Sequence, residues 1–247
     1  LGRSSGASLG ATSAILLGIG ASLGPNFVGI SAFIGAFVLS LAVLFISNLG
    51  GRSNSMKLLL AGMALSAVCS AFSSFIVYFA NNKEGMQSIA YWLMGSLAGA
   101  KWNELAVIAP VIIVSVLFFW TQSRVLNLML LGDETAITMG TDLHLYRQWY
   151  LLISSLIVGF AVYAAGMIGF VGLIIPHVMR MFLGPDHKRL IPASALVGAI
   201  FLVICDGLCR IIIPHTELPI GILISMIGAP CFIYLMIKRT YGFGRND

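Results

Sequence analysis

Charge is scarce in this chain. Only 9% of its 247 residues are Asp, Glu, Lys or Arg, where a water-soluble domain carries about 25%. So few charges cannot cover a water-facing surface, and lipid must be the solvent for most of the chain. No Asp, Glu or Lys sits in the middle of an apolar run. Such residues mark proton and ion pathways within a membrane, so their lack argues against a proton-driven pump and for a transporter powered from elsewhere. No G-x-x-x-x-G-K-[ST] loop occurs, which excludes ATP binding in that manner, and there is no H-E-x-x-H. The one G-x-S-x-G match, Gly2 to Gly6, has no room for a preceding strand and no acid near it, as a nucleophile elbow requires. The four cysteines form no C-x-x-C pair. Cys205 and Cys209 share a helix face, where a metal or redox role is conceivable but small packing residues are the default. No catalytic residue, no metal and no cofactor is assigned, and the chain is not itself an enzyme.

What remains is apolar. Hydrophobic residues make up 59%. Uncharged runs of about 18 residues or more are candidate spanning helices, and they fall at Ala7–Gly51, Leu58–Asn82, Leu105–Ser123, Gln148–Met179 and Leu218–Ile237, with Leu190–Cys205 somewhat shorter. None alternates with the period of two that a barrel strand needs, so the fold class is all-α, a polytopic transmembrane bundle. Within the first run, Leu23-Gly24-Pro25-Asn26 is a turn signal. It separates Ala7–Gly20 from Phe27–Ser47, both rich in the small residues that let helices approach closely in lipid. Tyr91–Leu97, in the connection 81–104, suits a short helix at headgroup level, where Tyr and Trp prefer to sit. The chain starts at Leu1 with no charged leader, which reads as a missing N-terminus and not as a signal peptide.

The run Gln148–Met179 decides the topology. As one helix of 32 residues it would be about 48 Å long, too much for a core of about 30 Å even when tilted. Gly166, Gly169 and Gly172 break it, which predicts a full span followed by a short broken one near 167–183. Eight spans then result. Arg3, Arg52, Lys57, Arg124, Arg147, Arg180, Lys188, Arg189, Lys238, Arg239 and Arg245 share one side. Only Lys83, Lys101 and Arg210 face the other. The fourteen cations, which give a net charge of +5, thus set orientation and are no signal for nucleic acid. With seven spans the asymmetry vanishes, so the positive-inside rule selects eight and puts both ends of the chain in the cytoplasm.

The longest polar segment, Thr121–Arg147, contains Leu131-Gly132-Asp133-Glu134-Thr135-Ala136-Ile137-Thr138-Met139-Gly140. It reads as a short helix with acids in its first turn, where the helix dipole favours them, and a glycine stop. Its apolar Leu131, Ile137 and Met139 can lie on the membrane or fit a groove on a partner. Asp206 and Arg210 stand one helical turn apart, the spacing of an internal ion pair. His177, after Pro176, reads as a polar residue at a helix kink or a ligand contact. His144, His187 and His215 read as solvated.

Taken together the segments resemble a family. Ser4-Ser5-Gly6-Ala7, Leu59-Leu60-Ala61-Gly62, Tyr91-Trp92-Leu93-Met94-Gly95-Ser96, Leu131–Ala136, Gly169–Arg180, Gly184-Pro185-Asp186-His187-Lys188-Arg189, Glu217–Gly221 and Gly228-Ala229-Pro230 occur in the order found in the FecCD-type permease subunits of bacterial type II ATP-binding-cassette importers. That group takes up iron-siderophores, haem and vitamin B12. The resemblance covers nearly the whole chain and implies a ten-span fold, of which eight are present and the first two absent. It makes 1–247 a single transmembrane permease domain with a cytoplasmic coupling region at 121–147. By position, Leu131, Gly132, Asp133, Glu134, Thr135, Ala136, Met139 and Gly140 resemble the helix that couples to the ATPase. Asn54, Ser55 and Met56 resemble a cytoplasmic gate, and Arg210 an outward arginine that docks the binding protein.

The implied partners are a second permease copy (identical or a close paralogue), an ATP-binding subunit, an extracytoplasmic substrate-binding protein and membrane lipid. The implied location is the bacterial inner membrane, and the cargo an iron-siderophore or similar metal chelate. A secondary transporter of another fold is the alternative, but it would need a coupling-ion site.

Overall fold

In hydrocarbon, backbone N–H and C=O groups must find partners within the chain, and a helix satisfies nearly all of them locally. The computed structural model accordingly places the described residues (3–23, 26–49, 55–80, 82–141, 143–212 and 218–238) in helices joined by turns, with no strand among them. In order these are α1 (Arg3–Leu17), α2 (Phe27–Asn48), α3 (Ser55–Ala80), α4 (Lys83–Met94), α5 (Trp102–Thr121), α6 (Ser123–Leu130), α7 (Asp133–Thr138), α8 (Leu143–Ala165), α9 (Val171–Leu183), α10 (His187–Ile212) and α11 (Ile220–Lys238). By length and composition α2, α3, α5, α8 and α10 can each cross a membrane, and α9 and α11 are shorter apolar helices. The protein is a multi-pass membrane protein.

Contacts give each helix its direction. Gly6 lies against Gly35 and Leu39, whereas Gly10 lies against Ser31, so α1 and α2 are antiparallel. Gly29 meets Tyr163 and Gly159 meets Phe33, so α8 runs antiparallel to α2. At one end of the bundle Asn26 hydrogen-bonds Glu104 and the Tyr163 hydroxyl. Ser96 N–H donates to Ala165 C=O at 2.9 Å, and Leu97 and Ile168 pack on Cys209 and Ile220. At the other end α6 touches the turn between α9 and α10. Eight helices (α1, α2, α3, α5, α8, α9, α10 and α11) therefore pass alternately between the two ends.

The expected break is present: α8 stops at Ala165 and α9 starts at Val171. Between them Phe170 has φ 64° and ψ −33°. Val171 N–H donates to Gly169 C=O at 2.8 Å, which makes Phe170 the centre of a γ-turn of the rare positive-φ kind. A non-glycine residue there costs on the order of 1–3 kcal/mol. Packing holds it, because Phe170 lies in the apolar cluster around Cys205, Cys209, Ile220 and Ile224. At 13 residues α9 spans only about 20 Å.

The small residues do what lipid-embedded packing demands. Ala7, Ala11, Ala32 and Ala36 are fully covered at the crossing of α1 and α2, the most extensive helix contact in the bundle. A Cβ on Gly35 would stand 2.2 Å from the Gly6 carbonyl oxygen. A second close approach stacks backbone on backbone at the α4 end: a Cβ on Gly221 would meet Met94 O at 2.1 Å, and one on Gly166 would meet Trp92 O at 2.7 Å.

Two elements differ from the sequence reading. The interfacial helix begins earlier than Tyr91, at Lys83, because the Asn82 side chain accepts from Gly85 N–H at 3.0 Å and Glu84 sits in its first turn. And Ser123–Leu130 forms a separate helix where only a polar connection was expected.

Candidate functional site

Lys57, Arg124, Arg147, Arg180, Lys188 and Arg189 gather at the end of the bundle where α6 meets the α9–α10 turn, with Arg3 at the start of α1 and Lys238 at the end of α11. We call this the basic end. Lys83, Lys101 and Arg210 lie towards the opposite end.

The segment Leu131–Gly140, expected from the resemblance to be the coupling helix, stands at the basic end. Gly132 (φ 93°) and Gly140 (φ 78°) bracket α7, both in the left-handed region that favours glycine. Thr141 N–H reaches back to Ala136 C=O at 3.0 Å, closing the helix as the sequence suggested. Ala136 is 0% exposed and the neighbouring Leu143 3%, so α7 is seated against the bundle through Ala136. Leu131 and Met139, on its flanks, are 58% and 62% exposed. Apolar side chains so exposed at the end of the bundle can lie on the membrane or fit a groove on a partner. Gly132 and Thr135 belong to the same turn. Of Asp133, Glu134 and Ile137 only the helical backbone is described; their side chains, like the whole of Asn54, lie outside the described residues. Ser55 opens α3, and Met56 beside it is 63% exposed.

A polar cluster ties α6, which leads into this segment, to Asp186 and the start of α10. The Asn127 amide nitrogen donates to Asp186 Oδ1 at 2.8 Å. Its oxygen accepts from His187 N–H at 2.9 Å and lies 2.7 Å from His187 Nδ1. Lys188 N–H donates to Asp186 Oδ1 at 3.1 Å, and Trp120 Nε1–H donates to the Lys188 carbonyl at 3.0 Å. Hydrogen bonds from Asn127 and then Lys188, with the nearby Arg189 and Lys188 charges, hold the Asp186 carboxyl below the usual carboxylate range. The cluster is therefore intact at neutral pH and loses this contribution as pH falls through that lowered value. His187 is thus a half-buried contact and not the solvated residue expected from its place in a loop. His144 also has a partner, Gln148, at 3.1 Å. Nothing local in the sequence marks Asn127, which lies about sixty residues from its partners.

At the opposite end Arg210 Nε donates to Asp206 Oδ2 at 2.9 Å, with the two side chains 49% and 24% exposed. The internal ion pair expected from their spacing is formed. Beneath the Asn26–Glu104–Tyr163 contacts lies an apolar cavity of about 390 Å³ lined by Ile30, Phe33, Val107, Ile108 and Phe160. A second, of about 680 Å³, carries Ser8, Thr12, Ser70, Ser73 and Ser74 between α1 and α3. His177 bonds the Leu173 carbonyl through Nδ1 at 2.8 Å and sets its edge on Phe232 with centroids 5.9 Å apart, a packing contact between α9 and α11. Among the described residues no three His, Cys, Asp or Glu come together.

Known proteins resemble this chain in sequence and fold. The chain is 39% identical to the cobalamin import system permease protein BtuC of Halobacterium salinarum, over 97% of this chain and 63% of that one. It is 37% identical to the hemin transport system permease protein HmuU of Yersinia pestis, over 97% of this chain and 72% of the relative. The chain thus spans about two thirds of the length of these relatives. Among solved structures, a metal-chelate type ABC transporter in an inward-facing conformation superposes with a TM-score of 0.84 at 34% identity, over 96% of this chain and 74% of the other. The profile of the FecCD transport family matches residues 1–238, and the chain belongs to that family.

Proposed function

We propose that this chain is the transmembrane subunit of an ATP-binding-cassette importer in a bacterial inner membrane, and that ATP is hydrolysed on a separate subunit. The observation that carries the reading is the glycine-bracketed α7, with exposed Leu131 and Met139, standing at the basic end. The positive-inside rule makes that end cytoplasmic, where an ATPase would bind. The substrate-binding protein docks at the opposite end, near Arg210, and a second permease copy completes the path. Asn54, Ser55 and Met56 close that path on the cytoplasmic side. The cargo is a metal chelate: an iron-siderophore, haem or cobalamin. Relatives named for cobalamin and hemin, and a solved neighbour named for metal chelates, support that class.

Reconstitution into liposomes with the ATPase subunit and the binding protein tests this reading. Uptake of one chelate class should require ATP inside the compartment facing the basic end; uptake driven by an ion gradient without ATP would favour a secondary transporter instead. Titrating the binding protein with siderophores, haem and cobalamin then names the cargo.

Orientation has its own test. Arg189 is exposed in the first turn of α10. Arg189→Cys should react with an impermeant thiol reagent only from the cytoplasmic face, against a background of mostly buried native cysteines. Labelling from outside would invert the assignment of both docking faces. At the other end, Arg210→Glu should weaken binding-protein affinity roughly tenfold at low ionic strength and much less at high salt, because the effect acts through charge complementarity. Equal affinity at low salt removes Arg210 from the docking surface.

A further inference from the structure

We propose that Asn127 is a positioning residue that makes the coupling segment and the α9–α10 turn move as one body, so that a push on α6 and α7 reaches the short span α9. The inference rests on the ATPase-coupled function proposed above. Along the chain, α6 and α7 connect only to α5 and α8, and by connectivity alone a displacement would pass to those two helices. The Asn127 side chain supplies the other route.

Its geometry is over-determined. Asp186 presents a carboxylate, which only accepts, so the Asn127 amide must turn its nitrogen towards it. The amide oxygen then faces His187, where it takes the backbone N–H at 2.9 Å and stands 2.7 Å from Nδ1. With an oxygen opposite it, Nδ1 carries the ring proton. His187 is the first residue of α10, so its N–H has no partner within its own helix. Asn127 on α6 therefore completes the cap of α10 that Asp186 begins by accepting from Lys188 N–H. Trp120, at the end of α5, adds a second tie to the same turn through the Lys188 carbonyl. An amide with both ends engaged resists rotation as well as separation, which a single hydrogen bond does not.

The body so joined leads directly into α9. α9 lies between two left-handed backbone positions, the γ-turn at Phe170 and Gly184 with φ 80°, and Pro176 interrupts its hydrogen-bond ladder.

The test uses the assembled importer in liposomes. Asn127→Leu keeps the number of side-chain heavy atoms and removes both contacts; Asn127→Asp keeps the acceptor for His187 but sets a carboxylate against Asp186. Both variants should still co-purify with the ATPase subunit, while cargo moved per ATP hydrolysed falls roughly tenfold, the scale of a coupling defect. Spin labels at Arg124→Cys on α6, exposed and outside the docking face, and at Arg189→Cys should keep their separation when nucleotide binds with Asn127 present, and change it in either variant. The proposal is overturned if both variants transport at the native ratio, or if the label separation changes with nucleotide while Asn127 is in place. If the native chain itself fails to bind an ATPase, it is the functional reading that falls.

Discussion

A valine at Gly35 is expected to unseat α1 from α2. The first atom it adds would lie 2.2 Å from the Gly6 carbonyl oxygen, 3.1 Å from the Gly6 carbonyl carbon and 3.3 Å from the Gly10 Cα. All three are backbone, so no side chain can turn aside, and the two helices must separate. In lipid, helix association depends on van der Waals packing, with little hydrophobic drive between spans. Separation therefore loses the contacts of Ala7, Ala11, Ala32 and Ala36 together. Overpacking of this kind costs about 3 kcal/mol, which lowers the melting temperature in detergent by roughly 6–12 °C for a chain of this size. A control at Gly99, where an added Cβ meets nothing, should leave melting unchanged. Native-like melting of Gly35→Val would mean that α1 and α2 do not cross this closely.

The paired substitution Leu131→Glu with Met139→Glu should abolish co-purification of the ATPase subunit while leaving the permease folded. Both side chains are exposed, so folding does not depend on them. Burying either in a partner's groove contributes about 1.5–3 kcal/mol, and a glutamate both forfeits that and brings a charge to be desolvated. Together the two changes weaken association at least about 100-fold. Unchanged association would leave α7 with the membrane surface as its partner, the other occupant its composition allows.

The sequence showed much of this bundle, for reasons that can be traced. Gly10, Ala11, Gly35 and Ala36 were legible as contact points because in lipid a small side chain has few other uses. The return of α9 was legible from charge: a single missed crossing would have scattered the cations over both faces. Asp206 and Arg210 were legible because one helical turn separates them. The α6 helix was not, because eight residues that mix Arg124 and Asn127 with leucines are too short a window to display a period. The Asn127 cluster was not either, since its members come from α6 and the start of α10. The contacts of Asn26 with Glu104 and Tyr163 escaped for the same reason: each residue sits at a helix end that only the folded bundle brings together.

The shortness of α9 bears on how the protein is made. An insertion machinery that recognises about 20 apolar residues at a time finds too few in these 13 to retain them alone. The segment must enter with α10 as a hairpin, folded about the Gly184–Asp186 turn, and the orientation of the last third of the chain is set when that pair enters the bilayer.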